Sequence, residues 1–164
     1  MLIAEQRSAL SGFTYDLKSP DGTVLGELCF PDWAQARNAR LQNPAPGLLR
    51  SSIDLRLSGV ACTIEFEYTR RGWHNDTRFE LMQGSTRLAA AEVVVPPGWL
   101  ERARLLVTEP FSGELVRRSR FFKTRFELQR GGQVLGLVHE PQAFTTRRRL
   151  CAELPPDIPP PVQG

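Results

Sequence analysis

The stretch Cys62-Thr63-Ile64-Glu65-Phe66-Glu67-Tyr68-Thr69 decides the fold class. Cys62, Ile64, Phe66 and Tyr68 fall on one side; Thr63, Glu65, Glu67 and Thr69 fall on the other. Successive side chains of an extended strand point to opposite faces, so this alternation is that of a half-buried strand with one wet side. Just upstream, Ile53, Leu55 and Leu57 alternate with Asp54, Arg56 and Ser58 in the same way. The link Ser58-Gly59 is short enough to turn the two runs into a hairpin.

Working outward, further strands are expected at Phe13-Tyr15-Leu17, Phe79-Leu81, Val93-Val95 and Phe122-Thr124-Phe126-Leu128. Leu105 to Thr108 and Glu114 to Arg118 flank a turn at Glu109-Pro110-Phe111-Ser112-Gly113. About ten short strands with turn signals between them predict an all-β, antiparallel barrel or sandwich. One helix is expected over Trp33 to Leu41, capped by Asp32 and stopped at Asn43-Pro44. Trp99 to Leu106 reads either as a second short helix or as the start of a strand.

A loose internal repeat supports a curling meander. Tyr15-Asp16-Leu17 leads across Ser19-Pro20-Asp21-Gly22 to Val24-Leu25-Gly26; Phe79-Glu80-Leu81 leads past Gly84 to Leu88-Ala89-Ala90. Phe126-Glu127-Leu128 leads across Gly131-Gly132 to Val134-Leu135-Gly136. Each unit is a hairpin whose second strand carries a small residue where a neighbour comes close.

With 164 residues the chain suits one domain, expected over residues 1–153 and followed by an extended Pro-rich tail over 154–164. Such a length buries about two-thirds of its unfolded surface, enough for a core without staples. Cys29, Cys62 and Cys151 are widely spaced and form no CxxC pair, which argues against a disulfide framework and a zinc site. Cys62 reads as a small core hydrophobe. Met1-Leu2-Ile3-Ala4-Glu5-Gln6-Arg7 lacks the features of a signal peptide, and no apolar run approaches the roughly 20 residues that span a bilayer. A cytoplasmic location is therefore expected.

Catalytic signals are missing from the pattern. His74 and His139 have no spacing that makes a metal pair or a nucleophile base, and no serine lies in a Gly-x-Ser-x-Gly context. Gly131-Gly132 is an isolated turn and no phosphate loop is present. Glu65 and Glu67 lie on a solvent face. Neither enzyme activity nor a cofactor or metal is expected.

The basic runs are the most informative polar feature. The net charge is only +3, but from Glu101 onward eleven basic residues stand against seven acidic ones. Arg117, Arg118, Arg120, Lys123 and Arg125 lie in consecutive strand segments, and Arg147, Arg148 and Arg149 follow Phe144. Brought together, they would form a positive groove for phosphate headgroups or a nucleic-acid backbone. The competing reading is a solvated face whose arginines pair with Glu65, Glu67, Glu80 and Glu127 across strands. Lys18 and Lys123 are the only lysines, a bias that fits either codon composition or selection for bidentate anion recognition.

The hairpin pattern of Phe13 to Leu28, Thr77 to Ala91 and Lys123 to Val138 resembles the tubby C-terminal-like superfamily, which includes LURP-one-related proteins and phospholipid scramblases. The resemblance implies a closed barrel around a central hydrophobic helix, with phosphoinositide binding through basic residues in some members. The family's helix follows its last strands, a region that here reads Pro159-Pro160-Pro161-Val162-Gln163-Gly164. The functional expectation is a non-enzymatic binding domain that recognises an anionic surface, such as phospholipid headgroups, through Arg117, Arg118, Arg120, Lys123, Arg125 and Arg147 to Arg149. The alternatives are a protein-interaction module using strand edges or the tail, and a hollow-barrel carrier of a small apolar ligand. Nucleic acid ranks lower as a partner, because stacking aromatics are not interleaved with the arginines.

Overall fold

The computed structural model describes residues 1–8, 14–30, 48–71, 74–95, 104–118, 124–141 and 147–155; of residues 48–50, 69–71 and 74–75 only the backbone is described. Twelve strands follow in order: β1 (Leu2–Gln6), β2 (Thr14–Lys18), β3 (Val24–Cys29), β4 (Leu48–Leu57), β5 (Val60–Arg71), β6 (His74–Gln83), β7 (Thr86–Val94), β8 (Arg104–Glu109), β9 (Gly113–Arg117), β10 (Arg125–Arg130), β11 (Gln133–His139) and β12 (Arg149–Glu153). Each pairs antiparallel with the next, and β12 returns to β1, so the sheet is a closed up-and-down barrel. Closure removes the free strand edges on which the protein-interaction alternative partly relied. Among the described residues there is no helix. The helix expected from Asp32 to Leu41 lies outside them, whereas Arg104 to Leu106 are strand, as the second of the two readings for that segment had it.

The ten expected strands are β2 to β11. The two additions, β1 and β12, pair with each other and close the wall, with Ile3 opposite Cys151 and Leu2 opposite Ala152. Their alternation is blurred for a physical reason. Leu2 and Ala152 pack on the core, while Ile3 and Cys151, on the other side, are also buried. A strand buried on both faces shows no period of two.

The Ser58-Gly59 link is the tight turn expected, with both residues at positive φ as a two-residue hairpin turn demands. The three repeat units share one further device. Leu17 pairs with Gly26 but Lys18 with Val24; Leu81 pairs with Ala89 but Met82 with Arg87; Leu128 pairs with Gly136 but Gln129 with Val134. Each register shift skips one leucine (Leu25, Leu88 or Leu135), which makes three equivalent β-bulges spaced four strands apart. A bulge bends its strand and raises the twist, and that curvature helps a wide sheet close.

Because sequential strands are antiparallel, the connections alternate between the two ends of the barrel. One end carries the short turns at residues 19–23, 58–59, 84–85, 110–112 and 131–132. The other carries the connections at residues 7–13, 30–47, 72–73, 95–103, 118–124 and 140–148. The core cluster of Leu2, Leu17, Leu55, Leu57, Cys62 and Leu81 lies toward the short-turn end. Ion pairs cover the outer wall: Arg7 reaches Asp16 at 2.7 Å and Glu27 at 3.1 Å, and Lys18 reaches Glu5 at 2.6 Å. Arg87 joins Glu80 to Glu109. Among the described residues the inner face is mainly apolar and the outer wall mainly charged, the inverse of a lipid-facing barrel. No helix among the described residues is long and apolar enough to cross a membrane.

Candidate anion-binding rim

The up-and-down topology places the described members of the basic set at one end. Arg117 is the last residue of β9 and Arg118 follows it; Arg125 opens β10, and Arg149 opens β12 directly after Arg147 and Arg148. All border the long-connection end. Arg120 and Lys123 lie outside the described residues. Further arginines join this rim: Arg104, the first residue of β8, Arg7, just after β1, and Arg70 and Arg71, the last residues of β5. Since β1 and β12 are neighbours, most of these residues form an arc from β8 through β12 to β1, with Arg70 and Arg71 standing apart on β5.

The arc is shared between two sides of the wall. Opposed residues of paired strands lie on one face, and Leu115 opposes Leu128 while Arg117 opposes Phe126. Leu128 is buried, so Arg117 belongs to the inner side, at the mouth. Arg118 and Arg125 belong to the outer side and converge on Glu127: Arg118 Nε donates to Oε2 at 3.2 Å, and Arg125 Nη2 donates to Oε1 at 3.4 Å. Gln129 Nε2 adds a third donor at 2.9 Å. Partial burial opposes ionisation of Glu127, but the hydrogen bonds from Gln129 and Arg118 and the two positive charges outweigh it and hold its carboxyl below the ordinary range. The cross-strand pairing expected with Glu127 is present for Arg118, whereas Arg125 reaches Glu127 along its own strand. Glu80, named as another partner, is taken instead by Arg78 at 2.8 Å and Arg87 at 3.2 Å.

Arg147 to Arg149 stand beyond the intervening β11, three strand spacings from β9, or roughly 14 Å along the wall at about 4.8 Å per strand. Arg148 is tied into the sheet through its backbone: the Gln6 N–H donates to its carbonyl at 2.8 Å, and its own N–H donates to Gln6 Oε1 at 3.0 Å. Its guanidinium lies 3.6 Å from Glu140. Arg149 opposes Glu5, whose carboxyl is held low chiefly by the Lys18 hydrogen bond, with added influence from Arg149 and Arg147.

Arg7 had a readable signal. It precedes Asp16 by nine positions, as Arg118 precedes Glu127, and both pairs are bonded through Nε. The backbones match too, since the Arg7 N–H donates to Thr14 and the Arg118 N–H to Arg125. Arg104, held 3.5 Å from Glu114, had no such signature. His139 faces Glu153 at 3.7 Å, and among the described residues no three His, Cys, Asp or Glu side chains converge on a possible metal position. Compared with family models, with curated proteins and with solved structures, the chain finds no match in any of the three.

Proposed function

We infer that this protein is a non-enzymatic binding domain that docks on an anionic phospholipid surface by its long-connection rim. The observation carrying this reading is the gathering of Arg7, Arg104, Arg117, Arg118, Arg125 and Arg147 to Arg149 from separate parts of the chain onto one end of a closed barrel. Asp16 and Glu27 at Arg7, Glu114 at Arg104, Glu140 at Arg148, and Glu127 at both Arg118 and Arg125 offset part of that charge. A rim is suited to a planar partner because its arginines can engage several headgroups together, each contributing about 1 kcal/mol near an anionic membrane. The same reading takes the chain as a distant relative of the tubby C-terminal-like superfamily, on the strength of three hairpin units and a closed wall.

Flotation with neutral and with anionic vesicles tests it. Binding is expected to anionic vesicles alone, and to fade between about 0.05 M and about 0.5 M salt as screening shortens. Replacing Arg147, Arg148 and Arg149 together by Ala is expected to weaken it by about 3 kcal/mol. Binding that ignores salt, that is equal on neutral vesicles, or that does not occur at all would discard the rim as a docking surface.

A further inference from the structure

Glu127, the third residue of β10, is the point on which outer charges of the rim converge. Arg125 opens the same strand two residues before it, Gln129 follows two residues after it, and Arg118 reaches it from just past the end of β9. The Arg118 N–H also donates to the Arg125 carbonyl at 2.8 Å, which holds the backbones of the two arginines together. Directly opposite Glu127 stand Val116 on β9 and Leu137 on β11, and neither brings a charge of its own.

Exposure is shared unequally within this cluster. The Glu127 side chain is 15% exposed, against 54% for Arg118 and for Arg125. The carboxylate is the sheltered partner and the guanidinium groups are the solvent-facing ones, so salt screens the cluster less than it would an open pair. Glu127 is held below the ordinary carboxylate range and stays ionised at neutral pH. Its negative charge cancels one of the two positive ones, and it takes hydrogen bonds from Arg118 Nε and Arg125 Nη2 that a headgroup would need. Two residues at about 3.4 Å each put Glu127 roughly 7 Å from Arg125, within one Debye length of the rim. An anionic surface that meets Arg118 and Arg125 therefore competes with a carboxylate already seated between them.

We propose, resting on the rim-docking reading, that Glu127 is an autoinhibitory contact: it occupies Arg118 and Arg125 in place of an anionic headgroup. A sparsely charged surface engages the arginines before β12, and Arg118 and Arg125 join only where the surface is dense enough to displace the carboxylate. Glu127 thereby sets the surface charge at which the rim docks fully.

The test is flotation of the full chain with phosphatidylcholine vesicles containing a minor share of phosphatidylglycerol, in a double-mutant cycle over Arg118→Gln and Glu127→Gln. Glu127→Gln keeps an oxygen to which Gln129 can donate and removes the charge. It is expected to tighten binding by more than about fivefold, the worth of one charge near such a surface. Arg118→Gln removes the same charge in either background, so a long-range field alone would make its cost equal in both. With Glu127 inhibitory, that cost is expected to be less than about twofold in the wild type and about fivefold or more beside Glu127→Gln. Equal costs, or Glu127→Gln binding no tighter than the wild type, would overturn the autoinhibition and leave rim docking standing as long as the wild type floats. Flotation by neither the wild type nor Glu127→Gln would discard both. Should Arg118→Gln fail to fold, the same cycle over Arg125→Gln decides.

Discussion

Gly26 shows how tightly single positions are constrained. A methyl group at Gly26 would overlap the Arg56 carbonyl oxygen on β4, and one at Gly136 would sit 2.6 Å from that of Glu153. Both contacts are with backbone, which moves only with its strand. The repeat's small residue after leucine, read from sequence as a point of close approach, has this cause at both positions. Gly26→Ala is expected to destabilise by about 3 kcal/mol or more, lowering the denaturant midpoint with the fold otherwise kept. A variant unfolding like the wild type would mean the two strands separate cheaply. The cysteines offer a second check. Cys29 is exposed, Cys62 and Cys151 are buried, and burial pushes the Cys62 thiol up. A thiol reagent is expected to label Cys29 quickly in the native protein and all three in denaturant. Rapid native labelling of Cys62 would contradict a packed short-turn end.

At the scale of elements, the repeating hairpin is the organising unit: aromatic, acid and leucine on one strand, then a turn, a bulge and a small residue on the next. The acid of each unit accepts arginine on the outer wall, Asp16 from Arg7, Glu80 from Arg78 and Arg87, and Glu127 from Arg118 and Arg125. These links have a pH signature. Glu5 and Glu127 have folded values held below the ordinary carboxylate range, the first chiefly by the Lys18 hydrogen bond. Such groups contribute stability that is fully present above the unfolded carboxylate's pKa and is lost as pH falls through the depressed folded value. Urea midpoints are therefore expected to hold at neutral pH and to decline as pH falls through the ordinary carboxylate range and below it, less steeply in Glu127→Gln. If that variant declines as steeply as the wild type, Glu127 carries none of the acid sensitivity. The bulges could not be read beforehand, since a skipped leucine differs from a paired one only through its partner strand.

For the whole molecule, closure rests on the β1–β12 pair, which joins the two ends of the described chain. Every other pairing links neighbours in sequence, so this ladder closes the longest loop and is the most costly in chain entropy. Removing residues 1–6 is expected to leave β2 and β12 with bare edges and to convert a cooperatively unfolding species into oligomers, visible by size-exclusion chromatography with light scattering. A truncated monomer that still unfolds cooperatively would show that closure is dispensable. Closure also explains the partial legibility of the rim. Sequence alone determined where β2 to β11 lie, which residues face inward and where the three hairpins turn, because a period of two and turn chemistry act within a few residues. It also located most of the basic residues. Only the tertiary structure decided between barrel and sandwich, recruited β1 and β12, and brought Arg7 and Arg104 to the arginines that follow them. It also set Arg117 on the inner side of the wall and paired Arg118 and Arg125 with Glu127 on the outer side. The reason is physical: alternation says which face a side chain takes, but barrel and sandwich share that alternation, and the choice between them is made by hydrogen bonds between residues as distant as Leu2 and Ala152.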